Sequence, residues 1–123
     1  MNRPEAILER NILLRLGQEA DVLIAKNEVG GSFHGALAKQ LCRECRAISN
    51  RYRFTAGLGT GSPDLVCLVS GTAALMELKS LTGRIRPEQR QWHEAAAKRG
   101  VRVRVIDSVE QAVEFVEEVR SGK

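Results

Sequence analysis

The sequence predicts an α/β fold, with a mixed central β-sheet flanked by helices. Three observations carry that prediction. Apolar residues recur at helical spacing near both ends of the chain, at Leu8, Ile12 and Leu16 and at Val113, Val116 and Val119. Two short apolar runs meet at Ser70-Gly71, a pair suited to a two-residue hairpin turn because glycine accepts the positive φ that such turns require. Read in full, the patterns run helix, strand, helix, strand, hairpin, helix, strand, helix, which builds a sheet with helical layers.

Pro4 suits the first turn of a helix, and Glu5 suits the positive end of its dipole. Gly17 ends that helix. Glu5 and Glu9 fall on or beside its apolar stripe, one turn apart. An acid facing inward is odd, whereas an acid at a helix start is common, so the helix by itself favours the capping role. Residues 21–28 read as a strand, broken by Gly30-Gly31. Residues 33–47 are predicted helical from the spacing of Leu37, Leu41 and Cys45, and residues 52–56 read as a strand.

Gly57, Gly59 and Gly61 make a flexible approach to Ser62-Pro63-Asp64, where a backbone or a ligand can come close. No helix follows, which excludes a dinucleotide-binding loop. Past the hairpin, Thr82 and Gly83 mark a loop. Pro87 opens a helix that reaches about Arg99, and Gly100 stops it. Its apolar stripe is expected at Trp92, Ala95 and Ala96, with Trp92 a core anchor and His93 on the polar side. Residues 101–106 alternate valine with arginine, which predicts a strand with one wet face. Ser108 caps a last helix from Val109 to about Arg120.

The 123 residues suffice for one core and one domain, 1–123, and the composition is that of a globular protein. The net charge of +4 is compatible with a polyanionic partner without demanding one. No apolar run reaches the roughly eighteen residues of a membrane span, and charges interrupt the N-terminal stretch where a secretory signal would lie. Three cysteines form no even disulfide framework, so a reducing cytoplasm is the expected setting. Cys42 and Cys45 form a CxxC, but only Cys67, His34 and His93 remain to complete a zinc site. The pair reads better as small residues on one helix face.

The hairpin carries the chemistry. With Ser70-Gly71 as its loop, Val69 faces Thr72 and, counting outward, Asp64 faces Glu77. Direct partners share a face with Cβ atoms about 5 Å apart. Lys79, two residues on, projects from that same face. Val66/Leu75 and Leu68/Ala73 fill the rest of it; Leu65/Leu78, Cys67/Met76 and Val69/Ala74 fill the other, so a layer is expected on each side. Two carboxylates facing each other destabilise a sheet unless something compensates. A divalent cation would do so; a solvated sheet end, with Lys79 neutralising one acid, is the plainer alternative.

Asp64 in GSPDL followed by Glu77-Leu78-Lys79 resembles the PD-(D/E)XK nuclease motif. More narrowly, the chain is similar to stand-alone VRR-Nuc (virus-type replication-repair nuclease) domains. PEAILERNILLRLG places Glu5 at that family's helical Glu, NEVG matches its Asn-x-x-Gly turn, and PEQ matches a Pro-x-Gln opening the next helix, with Glu9 the alternative to Glu5. The match is weakest over residues 32–51.

The resemblance implies a restriction-endonuclease-like core of αβββαβ type and metal-dependent hydrolysis of DNA phosphodiester bonds. Asp64, Glu77 and the backbone carbonyl of Leu78 are the implied ligands of Mg²⁺ (or Mn²⁺), and no small-molecule cofactor is implied. Lys79 is implied to position water and stabilise charge on the phosphate. Glu5 would bind a second metal or hold water, and Gln89 would orient Lys79 or touch the phosphate. The implied substrate is branched DNA such as a Holliday junction, cut by a homodimer. Arg43, Arg46, Arg51, Arg53, Arg84 and Arg86 are candidates for DNA-backbone contact. A non-catalytic nucleic-acid-binding domain with the nuclease fold, or a sequence-specific restriction-type endonuclease, are the competing readings.

Overall fold

In the computed structural model, which describes residues 3–28, 32–33, 54–55, 58–80 and 83–122, the chain reverses at Ser70 and Gly71 with φ of 48° and 87°. Two successive positive φ values match the right-handed twist of the strands they join. This turn connects β4 (Leu65–Val69) to β5 (Thr72–Leu78). Val69 lies opposite Thr72 and Leu65 opposite Met76, which is the register expected from a Ser70-Gly71 loop. The second face pairs differently from expectation: Cys67 faces Ala74 rather than Met76, because only directly opposed positions keep the turn's register.

The other described elements are α1 (Arg3–Leu16), β1 (Val22–Lys26), β2 (Ser32–Phe33), β3 (Phe54–Thr55), α2 (Pro87–Lys98), β6 (Arg102–Ile106) and α3 (Val109–Arg120). The four-stranded sheet has the order β1-β4-β5-β6. β1 and β5 flank β4 antiparallel, and β6 lies parallel to β5. The sheet is therefore mixed, with the hairpin at its centre. The chain divides into two compact units, Met1–Asn27 with Gly61–Lys123, and Glu28–Thr60. Within the second, β2 and β3 pair antiparallel, with Phe33 opposite Phe54. Of the helix expected over residues 33–47, Phe33 is instead the last residue of β2, and the remainder lies outside the described residues.

The core fills one face of the sheet. Ile12 and Leu16 of α1 and Ala112, Phe115, Val116 and Val119 of α3 cover Leu65, Cys67, Val69, Ala74, Met76, Leu78 and Ile106. Each large side chain buried there contributes roughly 1.5–3 kcal/mol. Ser108 caps α3 as expected, its Oγ accepting from the Gln111 N–H at 3.2 Å. Among the described residues no helix is long and apolar enough to cross a membrane.

Two expectations need correction. A helical layer was expected on both faces of the hairpin, yet Leu23 is 72% exposed and its partner Leu68 is also exposed. α2 packs against β6, and its His93 reaches Glu77, so on this second face α2 meets the sheet at the Glu77 end. In β6 the arginines do not line the wet face. Arg104 lies over the Phe115 ring, 4.5 Å from its centroid, and bonds to Glu118, while Val105 is the exposed residue. A guanidinium can cover an aromatic ring and still reach a carboxylate, so it closes the sheet edge on the α3 side.

The loop before β4 is locked to α2. A Cβ on Gly61, whose φ is +86°, would lie 2.4 Å from the Glu88 carbonyl oxygen and 2.7 Å from its carbon. Both backbones would have to separate. Gly61→Ala is expected to destabilise the fold by roughly 2–4 kcal/mol, read as a lower urea midpoint at unchanged m-value.

Candidate active site

Asp64 stands one residue before β4, where the ladder with β5 has not begun. Its carboxylate substitutes for the missing strand: Oδ2 accepts the Leu78 N–H at 2.8 Å. That bond draws Asp64 to the C-terminal end of β5, where Glu77 is only 1% exposed. Burial is the main cause that pushes the Glu77 carboxyl up to about 9; a hydrogen bond with Asp64 and the charge of Asp64 add to it, while Lys79 and Arg86 oppose it. At neutral pH without a cation, Glu77 therefore keeps its proton and is hydrogen-bonded to Asp64. A buried carboxyl set against a second acid forms a site that a positive ion would relieve.

Lys79 continues the line of β5, its N–H donating to the Ile106 carbonyl at 3.0 Å. Its ammonium is close enough to act electrostatically on both Glu77 and His93. Glu5 reaches the same place from α1. It is buried, and its Oε1 accepts the Ser80 N–H at 3.4 Å. A Cβ on Gly83 would sit 3.1 Å from that Oε1 and 3.3 Å from the Lys79 Cδ, so glycine lets the loop pass tightly over both side chains. Glu9, equally buried, pairs instead with Lys26 Nζ at 3.0 Å. Of the two α1 acids, Glu5 stands beside Lys79 and Glu9 is neutralised at the end of β1.

Gln89 is buried in the first turn of α2, where its Oε1 accepts the Arg86 N–H at 2.9 Å. That bond fixes the loop carrying the exposed Arg84 and Arg86. Arg43, Arg46, Arg51 and Arg53 lie outside the described residues. His93 is half-buried rather than on the polar side, with Nε2 3.3 Å from Glu77 Oε1. Burial and the nearby Lys79 hold its pKa below the usual histidine value. Trp92 is only partly buried and Ala95 is exposed. The inward residues of α2 are Gln89 and Ala96, with Trp92 and His93 half-buried between them.

Asn27, the first residue of the Asn-x-x-Gly match, ties down the approach to β4. Its Nδ2 donates to Ser62 Oγ and to the Pro63 carbonyl, both at 2.7 Å.

The donors suit a hard cation. Among the described residues no cluster of three or more His, Cys, Asp or Glu side chains is placed to hold a metal. The Asp64 and Glu77 carboxylates with the Leu78 carbonyl would offer a cation oxygen alone, the donor type that Mg²⁺ or Mn²⁺ prefers. Cys67 is remote in character: it is buried in the core, and desolvation pushes its thiol up to about 11. Cys42, Cys45 and His34 lie outside the described residues.

A family model described as the VRR-NUC domain matches residues 8–110. A solved structure described as a VRR_NUC domain is 21% identical, covers 94% of this chain and 97% of its own, and superposes with a TM-score of 0.56. A second, described as a VRR_NUC domain protein, is 15% identical over 96% of this chain and 88% of its own, also with a TM-score of 0.56. At those identities the structural likeness speaks for the fold. Comparison with curated proteins gave no significant match. The matched span contains Asp64, Glu77, Lys79 and Gln89 and begins three residues after Glu5.

Proposed function

We propose that this chain, which belongs to the VRR-NUC family of nuclease-fold domains, is a divalent-metal-dependent endonuclease that hydrolyses DNA phosphodiester bonds, selectively on branched DNA such as four-way junctions. The observation that carries the reading is the buried Glu77 set against Asp64, whose carboxylate accepts the N–H of Leu78, the residue after Glu77, with Lys79 one residue further on. A nearly inaccessible acid beside a half-buried one and an ammonium has little to offer stability. It makes sense as a site that loads a cation.

Asp64, Glu77 and the Leu78 carbonyl would hold Mg²⁺ or Mn²⁺, which supplies Lewis acidity at the scissile phosphate. Lys79 would orient the attacking water and stabilise negative charge gathering on the phosphate oxygens. Glu5, beside Lys79, would accept a hydrogen bond from that water or hold a second cation. Gln89 holds the loop that carries Arg84 and Arg86, and these two would contact the DNA backbone together with Arg43, Arg46, Arg51 and Arg53. Only 4% of the residues are aromatic, which fits recognition of shape and charge better than base stacking. A homodimer would place two such sites for paired cuts across a junction.

A cleavage panel tests this reading. With Mg²⁺ or Mn²⁺ the protein is expected to cut four-way junctions in preference to flaps and linear duplex, and to cut none of them in EDTA. Binding without cleavage on every substrate would make it a nucleic-acid-binding module that retains the fold. Cleavage at one duplex sequence alone would make it a restriction-type enzyme.

A further inference from the structure

We infer that Asn27 is the positioning residue for Asp64, holding the backbone of the aspartate so that its carboxylate stands ready for the cation. The inference rests on the nuclease reading above and extends it to a residue outside the charged cluster. Asp64 lies where a loop becomes a strand, so no ladder fixes its backbone from both sides. β1 ends at Lys26, opposite Leu65, and Asn27 is the next residue. Its N–H donates to the Asp64 carbonyl at 2.8 Å. Its Nδ2 donates to Ser62 Oγ and to the Pro63 carbonyl, each at 2.7 Å.

One residue thus grips three consecutive residues, and the two preceding Asp64 are themselves buried. From the other side the Leu78 N–H donates to Asp64 Oδ2 at 2.8 Å. The aspartate is clamped by its main chain to β1 and by its side chain to β5. The chemistry selects asparagine. The side chain must donate twice, to a hydroxyl and to a carbonyl, and the amide nitrogen has two hydrogens. An aspartate of the same shape would instead set a carboxylate against the Pro63 carbonyl. The backbone bond to Asp64 survives any substitution, so removing the side chain loosens the residues before Asp64 without deleting β1.

Partners that orient a ligand typically change metal affinity 10- to 100-fold when lost. The test is calorimetric titration of the purified protein with Mn²⁺, together with steady-state cleavage of a junction substrate. Asn27→Ala is expected to weaken Mn²⁺ binding by about tenfold or more and to lower kcat with little change in KM for DNA. Raising Mn²⁺ is expected to recover cleavage, which a merely structural lesion would not permit. If Asn27→Ala does not fold, Ser62→Ala takes its place, since it deletes one of the two amide contacts and should give a smaller loss of the same kind. Unchanged Mn²⁺ affinity in a folded variant, with wild type binding normally, overturns the role of Asn27 alone. No Mn²⁺ binding by wild type overturns the nuclease reading and this inference with it.

Discussion

Lys79→Ala is expected to reduce Mg²⁺-dependent DNA cleavage by about 10³-fold or more, and Asp64→Asn to do the same, with the fold intact in both. The two losses have different origins. Lys79 is only partly buried, and its backbone N–H, not its side chain, makes the bond to Ile106. Removing the ammonium would take away the positive charge proposed to stabilise the reacting phosphate and leave β5 and β6 paired. Asp64 makes a structural bond through Oδ2 to the Leu78 N–H. Alanine would leave that donor without its acceptor, whereas asparagine keeps an acceptor oxygen in place and removes only the charge. Asp64→Asn also removes a charge that holds the Glu77 carboxyl high. Its metal-free form should therefore be no less stable than wild type. Circular dichroism and single-turnover cleavage at saturating Mg²⁺ check both variants, and wild-type rates in either would remove that residue from the site.

What could be read from the sequence was local. The register of the hairpin follows from two residues, Ser70 and Gly71, whose conformations fix every later pairing. The starts of α2 and α3 follow from Pro87 and Ser108. The side of the sheet that carries Asp64, Glu77 and Lys79 follows from counting by twos. Glu5 was a different matter. On its own helix it is an ordinary acid at a dipole's positive end, and only the packing of α1 brings its Oε1 to the Ser80 N–H. The family resemblance, not periodicity, singled it out from the sequence.

The residues that were misplaced share a cause. On α2, taking Ala95 as inward rotated the helix by one position and sent His93 outward. Counting from Gln89 instead, as residues i, i+3, i+4 and i+7, gives Gln89, Trp92, His93 and Ala96, the face the structure buries or half-buries. A buried glutamine was the overlooked anchor, because polar residues are usually assigned outward. The β6 arginines failed for the same reason. Arg104 packs through its planar guanidinium on Phe115, so its charge did not report its direction.

The pH dependence of stability follows from Glu77, and its sign is opposite to that of most carboxylates. Burial, then the Asp64 hydrogen bond and charge, raise it from an ordinary value of 4.5 to about 9. The folded protein therefore binds a proton that the unfolded chain has released between those limits. The stabilisation is complete below about pH 4.5, declines as pH rises, and is lost once pH passes through 9. One pKa unit corresponds to about 1.4 kcal/mol, so the metal-free protein should lose on the order of several kcal/mol across this window. His93, whose pKa is lowered by burial and by Lys79, acts in the opposite sense, its contribution being present above the ordinary histidine value and lost as pH falls below it. The Glu77 slope is thus cleanest above pH 7. Urea unfolding in EDTA from pH 7 to 9 should show stability falling in wild type and nearly flat in Glu77→Gln, which keeps the shape of the side chain and cannot ionise. Millimolar Ca²⁺ or Mg²⁺ should flatten or reverse the wild-type slope, because a cation held by the proposed site would favour ionised Glu77 and displace the proton that alkaline pH would otherwise remove. A wild-type slope that persists in Glu77→Gln, or that ignores the cation, would mean that the acid pair is not where proton and metal compete.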